Sequence, residues 1–178
     1  YHHTFYHYQP DLNAGNEDVQ EEVCKVLDFW MSFGISGIRV DAAPFMTMGK
    51  GLAKTRPENP HGTLRNLHKL SMERNPQSVM LGEANVLPEE LVTYFGDETG
   101  MEFQLLFNFM LNNYMYLALA REDADTLVRV MRMLPSVHEV GQWANFLRTL
   151  DEADMSRLTE DERAEVFKAF APKENMQM

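Results

Sequence analysis

The stretch GIRVDA at residues 37–42 is a short apolar run that ends in a carboxylate, Asp41. The pattern recurs in VMLGEA at residues 79–84, where Glu83 follows the run, and in WANFLRTLD at residues 143–151, where Asp151 follows it. Short, bounded apolar runs are typical of buried strands. The residues between them have helical spacing, so the sequence predicts strands that alternate with helices.

The sequence makes more detailed predictions for five helical or loop segments. After residue 16, which we expect to cap a helix, six apolar residues share one face. Residues 43–60 are predicted to be a long loop, and a helix with Leu64 and Leu67 on its face is expected to stop at Asn75. A single helix is predicted over 113–134, and Thr159 with Glu162 predicts a capping box for a last helix. The inward residues are predicted to be Val19, Val23, Val26, Leu27, Trp30 and Phe33 in the first helix, Leu127, Val130, Met131 and Leu134 in the long one, and Val166, Phe167 and Phe170 in the last.

Strict alternation of strands and helices implies a parallel sheet in an α/β fold. In a closed barrel of this kind the carboxyl ends of the strands converge on one face, so we expect the three acids there. Residues 102–109 are a fourth predicted strand. Four strands cannot close an eight-stranded barrel, and the chain begins at Tyr1 inside a predicted loop. We therefore interpret it as a piece of a longer protein.

Composition restricts the partners. The chain has 178 residues with a formal net charge of −11, which disfavours nucleic acid and anionic membranes but not a neutral sugar. A single cysteine, Cys24, excludes an internal disulfide and is consistent with a reducing compartment, so we expect a cytoplasmic protein.

The three acids match the needs of glycoside cleavage. A retaining glycosidase uses one ionised carboxylate as nucleophile and one carboxylic acid as proton donor. Arg39 lies two residues before Asp41, on the same side of the strand, and would keep it ionised. The apolar residues before Glu83 would raise its pKa. The plainer alternatives stay open at this point: a helix cap or turn for Asp41, and a solvated acidic run for Asp151.

The histidines near the start of the chain have two interpretations. His2, His3 and His7 alternate with tyrosines. A metal site needs ligands that converge, and adjacent residues of an extended chain point to opposite sides. Aromatic lining of a sugar cleft is therefore favoured over a metal site.

Several motifs together resemble the α-amylase family of glycoside hydrolases, most closely its trehalose synthase branch (maltose α-D-glucosyltransferase). The resemblance covers nearly the whole chain, in family order. Its motifs are QPDLN at residues 9–13, GIRVDA at 37–42, GEAN at 82–85, YFGD at 94–97, QWA at 142–144, and FLR at 146–148 followed by Asp151-Glu152.

The resemblance implies a (β/α)₈ TIM-barrel fold, of which this chain would hold roughly strand 4 to strand 7 and the following helix. It implies one partial catalytic domain over residues 1–178, with 1–15 the end of an inserted loop region and 16–178 the barrel strands and helices. Maltose or another α-glucoside is the implied substrate. The alternatives are an α-amylase or α-glucosidase that hydrolyses α-1,4-glucosidic bonds, and a non-catalytic sugar-binding relative.

The resemblance also assigns roles. Asp41 would be the nucleophile, Glu83 the acid/base and Asp151 the stabiliser of the transition state. The implied substrate-binding residues are Arg39, Asn85 and Arg148, and Asp11 would belong to a calcium site in the full-length protein, with no cofactor required for the chemistry.

One position inside the motifs departs from the family pattern. The family has Asn-His before the stabilising Asp, whereas this chain has Thr149 and Leu150. Leucine cannot form the family histidine's hydrogen bond to the sugar. Loss of one such bond costs about 1–3 kcal/mol, roughly 10- to 100-fold in rate.

Overall fold

The computed structural model describes residues 1–47, 61–97, 100–148, 153–173 and 175–176. It divides into two compact units, one of Tyr1–Leu106 with Val137–Gln142, the other of Phe107–Ser136 with Trp143–Met178. The predicted division into a loop region and one barrel domain stays a prediction. No helix in the described ranges is both long and apolar enough to cross a membrane.

Helices and strands alternate along the chain, with two very short strands between the second and third long ones. In order, the described elements are α1 (Glu17–Met31), β1 (Gly37–Val40), α2 (Ala43–Thr47), α3 (Gly62–Arg74), β2 (Val79–Gly82), α4 (Pro88–Leu91), β3 (Gly96–Asp97), β4 (Gly100–Met101), β5 (Leu105–Phe107), α5 (Phe109–Arg121), α6 (Asp125–Met133), β6 (Gln142–Ala144) and α7 (Glu160–Phe170). A 3₁₀ turn, Val92–Phe95, follows α4.

The main sheet is parallel, as predicted. In β1 and β2, Gly37 lies opposite Val79 and Val40 opposite Gly82, and in β2 and β5 Leu81 lies opposite Leu105. The Gln142 N–H donates to the Gln104 carbonyl at 2.8 Å, which gives the strand order β1-β2-β5-β6. Strands β3 and β4 form a separate antiparallel pair.

Helix α1 begins as predicted but buries a narrower face. The Asn16 side-chain oxygen accepts from the Asp18 and Val19 N–H groups at 2.8 and 3.3 Å. The inward prediction is wrong for Val26, Trp30 and Phe33, which are at least half exposed. Only the face with Leu27 and Met31, both buried, lies inward in this unit, where α1 packs against α3.

The predicted loop at 43–60 is wrong at its start. Residues 43–47 form α2, and Pro44 lies in its first turn, where the missing N–H of proline removes no helical hydrogen bond. Residues 48–60 lie outside the described residues. Helix α3 ends at Arg74 with Asn75 as its cap, which confirms the predicted stop.

The predicted helix over 113–134 is two helices. Glu122 has φ +51, a left-handed conformation that ends α5, and α6 restarts at Asp125. Because the helix is interrupted, α6 buries a different set of positions from the one that a continuous helix would bury. Val130 is buried, as predicted, but Met131 is more than half exposed and its inward prediction is wrong.

Helix α7 has the predicted capping box. The Thr159 hydroxyl accepts from the Glu162 N–H at 3.2 Å, and the Glu162 carboxylate accepts from the Thr159 N–H at 3.0 Å. Val166 is fully buried, but Phe167 and Phe170 are about two-fifths exposed, so the inward prediction is wrong for these two. A single stripe around Val166 packs on Tyr116 and Leu117 of α5.

We predict that Gly37→Ala destabilises the sheet. A Cβ at residue 37 would overlap the Val79 backbone carbonyl oxygen and lie 3.2 Å from its carbon, and backbone of a paired strand cannot move aside cheaply. We expect the free energy of unfolding to fall by about 1–3 kcal/mol. Urea denaturation of the natural full-length protein measures this loss. Ser36→Ala, at the exposed neighbouring position, is the control. Equal midpoints for the two variants would contradict the prediction.

Candidate active site

Backbone hydrogen bonds join the two strand ends that carry the predicted acids. The Glu83 N–H donates to the Val40 carbonyl at 3.0 Å, and the Ala43 N–H donates to the Glu83 carbonyl at 2.9 Å. Between these bonds the chain turns at Ala42, whose φ is +47. Asp41 and Glu83 therefore leave neighbouring parallel strands side by side.

One guanidinium nitrogen joins the two carboxylates. Arg39 Nη2 lies 2.7 Å from Asp41 Oδ1 and also hydrogen-bonds Glu83 Oε2. The contact agrees with the expectation that Arg39 and Asp41 share one side of the strand. The two carboxylates thus lie close together, with a single positive charge between them.

The environments of the two acids differ. The Asp41 side chain is 74% exposed, whereas that of Glu83 is 24% exposed. Burial raises the pKa of the Glu83 carboxyl, a hydrogen bond with Asp41 raises it further, and the charge of Arg39 opposes both. Glu83 therefore holds its proton to a higher pH than an ordinary glutamate and can donate a hydrogen bond to Asp41.

A cavity of about 460 Å³ opens beside Asp41. Phe5 and Phe45 form part of its wall, with ring centroids 5.2 Å apart in an edge-to-face arrangement. The rest of the wall includes Gln9 of the initial loop, Val19 of α1 and Thr63 of α3. The cavity is mostly apolar with a few polar groups, as expected of a small-molecule site. Sequence reasoning missed Phe45, because it placed this residue in a loop.

The other predicted site residues fall elsewhere or outside the description. Asn85 is exposed in the connection after β2, and Arg148 is exposed in the second unit. Thr149, Leu150 and Asp151 lie outside the described residues. The roles of all these residues stay predictions.

The predicted calcium ligand, Asp11, has protein partners. Its Oδ2 accepts from the Thr4 hydroxyl and lies 3.1 Å from His2 Nδ1. Calcium takes six to eight oxygen ligands, commonly from several carboxylates and carbonyls. Across the ranges that the structure describes, no three His, Cys, Asp or Glu side chains converge as a metal site would need. The described residues around Asp11 do not by themselves fit calcium.

A second polar cluster was missed because a carboxylate inside an apolar run, MEFQLLF, gives no sign of its partners. Glu102 is fully buried and contacts His61 Nδ1 at 2.7 Å and Arg65 Nε at 3.2 Å. Arg65 also reaches Asp97 at 3.0 Å. Burial raises the pKa of Glu102, and its two partners oppose that shift. The cluster ties α3 to the chain before β5.

Comparison with known proteins identifies the family. The family model described as "Alpha amylase, catalytic domain" matches residues 1–169. The chain belongs to the alpha-amylase family. The prediction of an α/β fold, a fragment of a (β/α)₈ barrel, is confirmed by this match and by the parallel sheet.

Two curated relatives in this family are trehalose synthases. The trehalose synthase of Thermus thermophilus is 35% identical over 173 residues, which are 97% of this chain and 18% of the relative. The trehalose synthase/amylase TreS of Mycolicibacterium smegmatis is 34% identical over 173 residues, 96% of this chain and 29% of the relative. The chain thus spans less than a third of the length of either.

A solved structure supports the same fold. The sucrose 6F-phosphate phosphorylase of Thermoanaerobacter thermosaccharolyticum superimposes with a TM-score of 0.65, covering 87% of this chain and 30% of that one. The sequence identity is 16%, so the likeness concerns the fold alone.

We predict that Arg39→Met raises the pKa of Glu83 and that Asp41→Asn lowers it. Arg39 favours the charged form of Glu83, whereas the Asp41 carboxylate opposes that form by its charge and by its hydrogen bond. Carbodiimide reacts with protonated carboxyls, so the pH dependence of labelling at Glu83, read by peptide mass spectrometry, measures both shifts. Lys69→Met, which removes an exposed positive charge on α3, is the matched control. If the pKa of Glu83 were unchanged or lowered in Arg39→Met, the charge of Arg39 would not be what favours the ionised form of Glu83.

Proposed function

We propose that this chain is the central part of an enzyme that transfers α-glucosyl groups with retention, as in trehalose synthases, with maltose or a related α-glucoside as substrate. The observation that carries the proposal is the Arg39 bridge between two carboxylates. A short separation of the two acids is characteristic of retaining glycosidases, whereas inverting enzymes leave room for a water between them. The names of the two curated relatives agree with this reaction.

In the first step Asp41 is the nucleophile and Glu83 the acid. A carboxylate oxygen of Asp41 forms a bond to the anomeric carbon, the bond from that carbon to the glycosidic oxygen breaks, and Glu83 gives its proton to that oxygen. Arg39 supports this division, since its Nη2 lies 2.7 Å from Asp41 Oδ1 and holds that carboxylate in place. The raised pKa of Glu83 keeps a proton available for the leaving group.

In the second step the roles of Glu83 reverse. Its carboxylate removes a proton from an incoming hydroxyl, the hydroxyl oxygen attacks the anomeric carbon, and Asp41 leaves as a carboxylate. An acceptor glucose held in the site gives an isomer of maltose such as trehalose. Water gives hydrolysis instead, the reaction of an α-amylase or α-glucosidase.

The remaining predicted site residues are assigned to sugar binding and to stabilisation of the transition state. We assign Asp151 to the transition state, where a carboxylate stabilises developing positive charge, and Arg39, Asn85 and Arg148 to sugar binding. Leu150 cannot replace the hydrogen bond of the family histidine, and this is the feature that would favour a non-catalytic sugar-binding relative. Product analysis with maltose separates the alternatives: trehalose for transfer, glucose for hydrolysis, and binding without turnover for the relative.

The cellular location and the partners are also part of the proposal. We propose a cytoplasmic protein with no nucleic acid or membrane partner, on the strength of its acidic charge and single cysteine. No step of the proposed chemistry uses calcium, and the described residues around Asp11 do not by themselves fit that ion.

We predict that Glu83→Gln separates substrates by leaving group. A glutamine cannot protonate a sugar oxygen, so kcat/KM for maltose should fall by about 100- to 10,000-fold. Fluoride leaves without protonation, so the rate at which α-glucosyl fluoride forms the glycosyl-enzyme should fall far less. Stopped-flow release of fluoride gives this rate, and Glu73→Gln, an exposed change on α3, is the control. Equal losses on both substrates would rule out Glu83 as the acid.

We predict that a 5-fluoro-α-glucosyl fluoride trap labels Asp41. The fluorinated sugar slows the second step more than the first, so the glycosyl-enzyme accumulates and survives digestion. Peptide mapping by mass spectrometry should find the added mass on the peptide containing Asp41, and Asp41→Asn should remain unlabelled. A label on any other residue would exclude Asp41 as nucleophile.

A further inference from the structure

One glutamine side chain joins the start of β2 to α3. Gln104 lies directly before β5 and is partly buried, and its Oε1 accepts from the Met80 N–H at 2.9 Å. The backbone N–H of Gln104 donates to the Met80 carbonyl at 3.2 Å. Gln104 therefore holds both backbone groups of Met80, one residue before the register of β2 and β5 begins at Leu81.

The bond to Met80 determines the orientation of the Gln104 amide. A backbone N–H can only donate, so the amide atom that it contacts is the oxygen. The other amide atom is Nε2, which lies 3.4 Å from the Ser78 carbonyl and 3.6 Å from Met72 Sδ, both of them acceptors. The same Nε2 lies 3.1 Å from His68 Nε2.

This orientation determines the protonation state of His68. The Gln104 NH₂ group donates, so His68 Nε2 must accept and cannot carry a proton. The neutral imidazole then carries its one proton on Nδ1. If the ring gained a second proton, two donors would face each other at hydrogen-bond distance and the contact would be lost.

The charges around α3 do not favour a protonated His68. The carboxylates that face α3 in the described structure are held by other cations: Arg65 contacts Glu102 and Asp97, Arg74 contacts Asp28 of α1, and Lys69 contacts Glu73. His61, at the start of α3, contacts Glu102 as well. Burial lowers the pKa of the His68 ring, because the half-buried position disfavours the charged form.

We propose that the His68–Gln104 contact is an acid-sensitive device that couples the stability of β2 to pH. Protonation of His68 breaks the contact, and Gln104 then no longer joins α3 to the start of β2. Glu83 directly follows β2, so the strand that loosens is the one that carries this acid. The inference concerns the fold and does not depend on the proposed reaction.

The direction of the pH dependence follows from burial. The pKa of His68 is lower in the folded chain than its ordinary value of 6.5, so the unfolded chain takes up the proton first. The stability that the contact supplies is therefore complete above pH 6.5 and is lost as the pH falls from there through the lower pKa of the folded state.

Nuclear magnetic resonance tests the protonation state in the natural full-length protein. With isotope-labelled histidine, the nitrogen chemical shifts at neutral pH should show a proton on Nδ1 of His68 and none on Nε2. The spectrum of His68→Gln identifies the signals, because those of His68 are missing from it. A proton on Nε2 at neutral pH would overturn the inference.

Urea denaturation tests the effect on stability. His68→Gln keeps an acceptor near the position of Nε2 but does not titrate, so between about pH 7.5 and about pH 5.5 its unfolding midpoint should fall less than that of the wild type. His138→Gln, which removes an exposed histidine of the same unit, is the matched control and should follow the wild type. Equal pH dependence in the wild type and His68→Gln would overturn the inference.

Hydrogen exchange locates the effect at β2. In the wild type, protection of the Met80 amide, corrected for the intrinsic pH dependence of exchange, should fall about tenfold over the same pH range. In Gln104→Glu the response should reverse, because the carboxylate can accept from the Met80 N–H and from a protonated His68. This variant also serves if His68→Gln does not fold, and a loss of protection as large as that of the wild type would overturn the inference. No sugar enters these measurements, so their failure is distinct from failure of the proposed function.

Discussion

The parallel register of β1 and β2 is the constraint on which the site depends. Because Val40 lies opposite Gly82, the residues that follow the two strands leave the sheet at the same level, and their backbones bond to each other. Glycines at 37 and 82 permit this pairing, since a side chain at either would collide with the neighbouring strand or with the core. A slip of one residue would turn Arg39 to the other face of the sheet.

The electrostatics of the site follow from that register. Arg39 contacts two acids but carries one charge. The partly buried Glu83 is the acid whose charge is disfavoured, and the exposed Asp41 keeps contact with water. The pKa of Glu83 is thus raised by its burial first and then by its hydrogen bond with Asp41, against the opposing charge of Arg39.

Sequence patterns predicted the features that depend on local chemistry. The Asn16 cap, the Thr159 capping box, the parallel sheet and the side of Arg39 all follow from spacing within a few residues. Patterns failed where distant packing decides: the exposed Trp30, Phe33 and Phe167 look like core residues until the width of the covered face is known. The single helix over 113–134 failed because a left-handed Glu122 leaves no composition signal.

For the candidate site too, sequence patterns identified residues with a local signal and missed those that depend on distant contacts. Sequence analysis proposed the three acids because each follows an apolar run. It missed the contacts of Glu102 and of Asn112 because their partners lie 34 or more residues away in sequence. Polar residues buried inside apolar runs are easily taken for interruptions of a pattern. In this chain they are the residues that bind distant segments together.

The turn at Ala42 restricts which amino acids can occupy this position. With φ at +47, the position accepts glycine, asparagine or aspartate readily, whereas valine, isoleucine or threonine would add steric strain to the junction beside Asp41. Replacing Ala42 by another small apolar residue such as valine would therefore be selected against, even though the side chain takes no part in the reaction. Mutational tolerance at residue 42 would record backbone geometry rather than hydrophobicity.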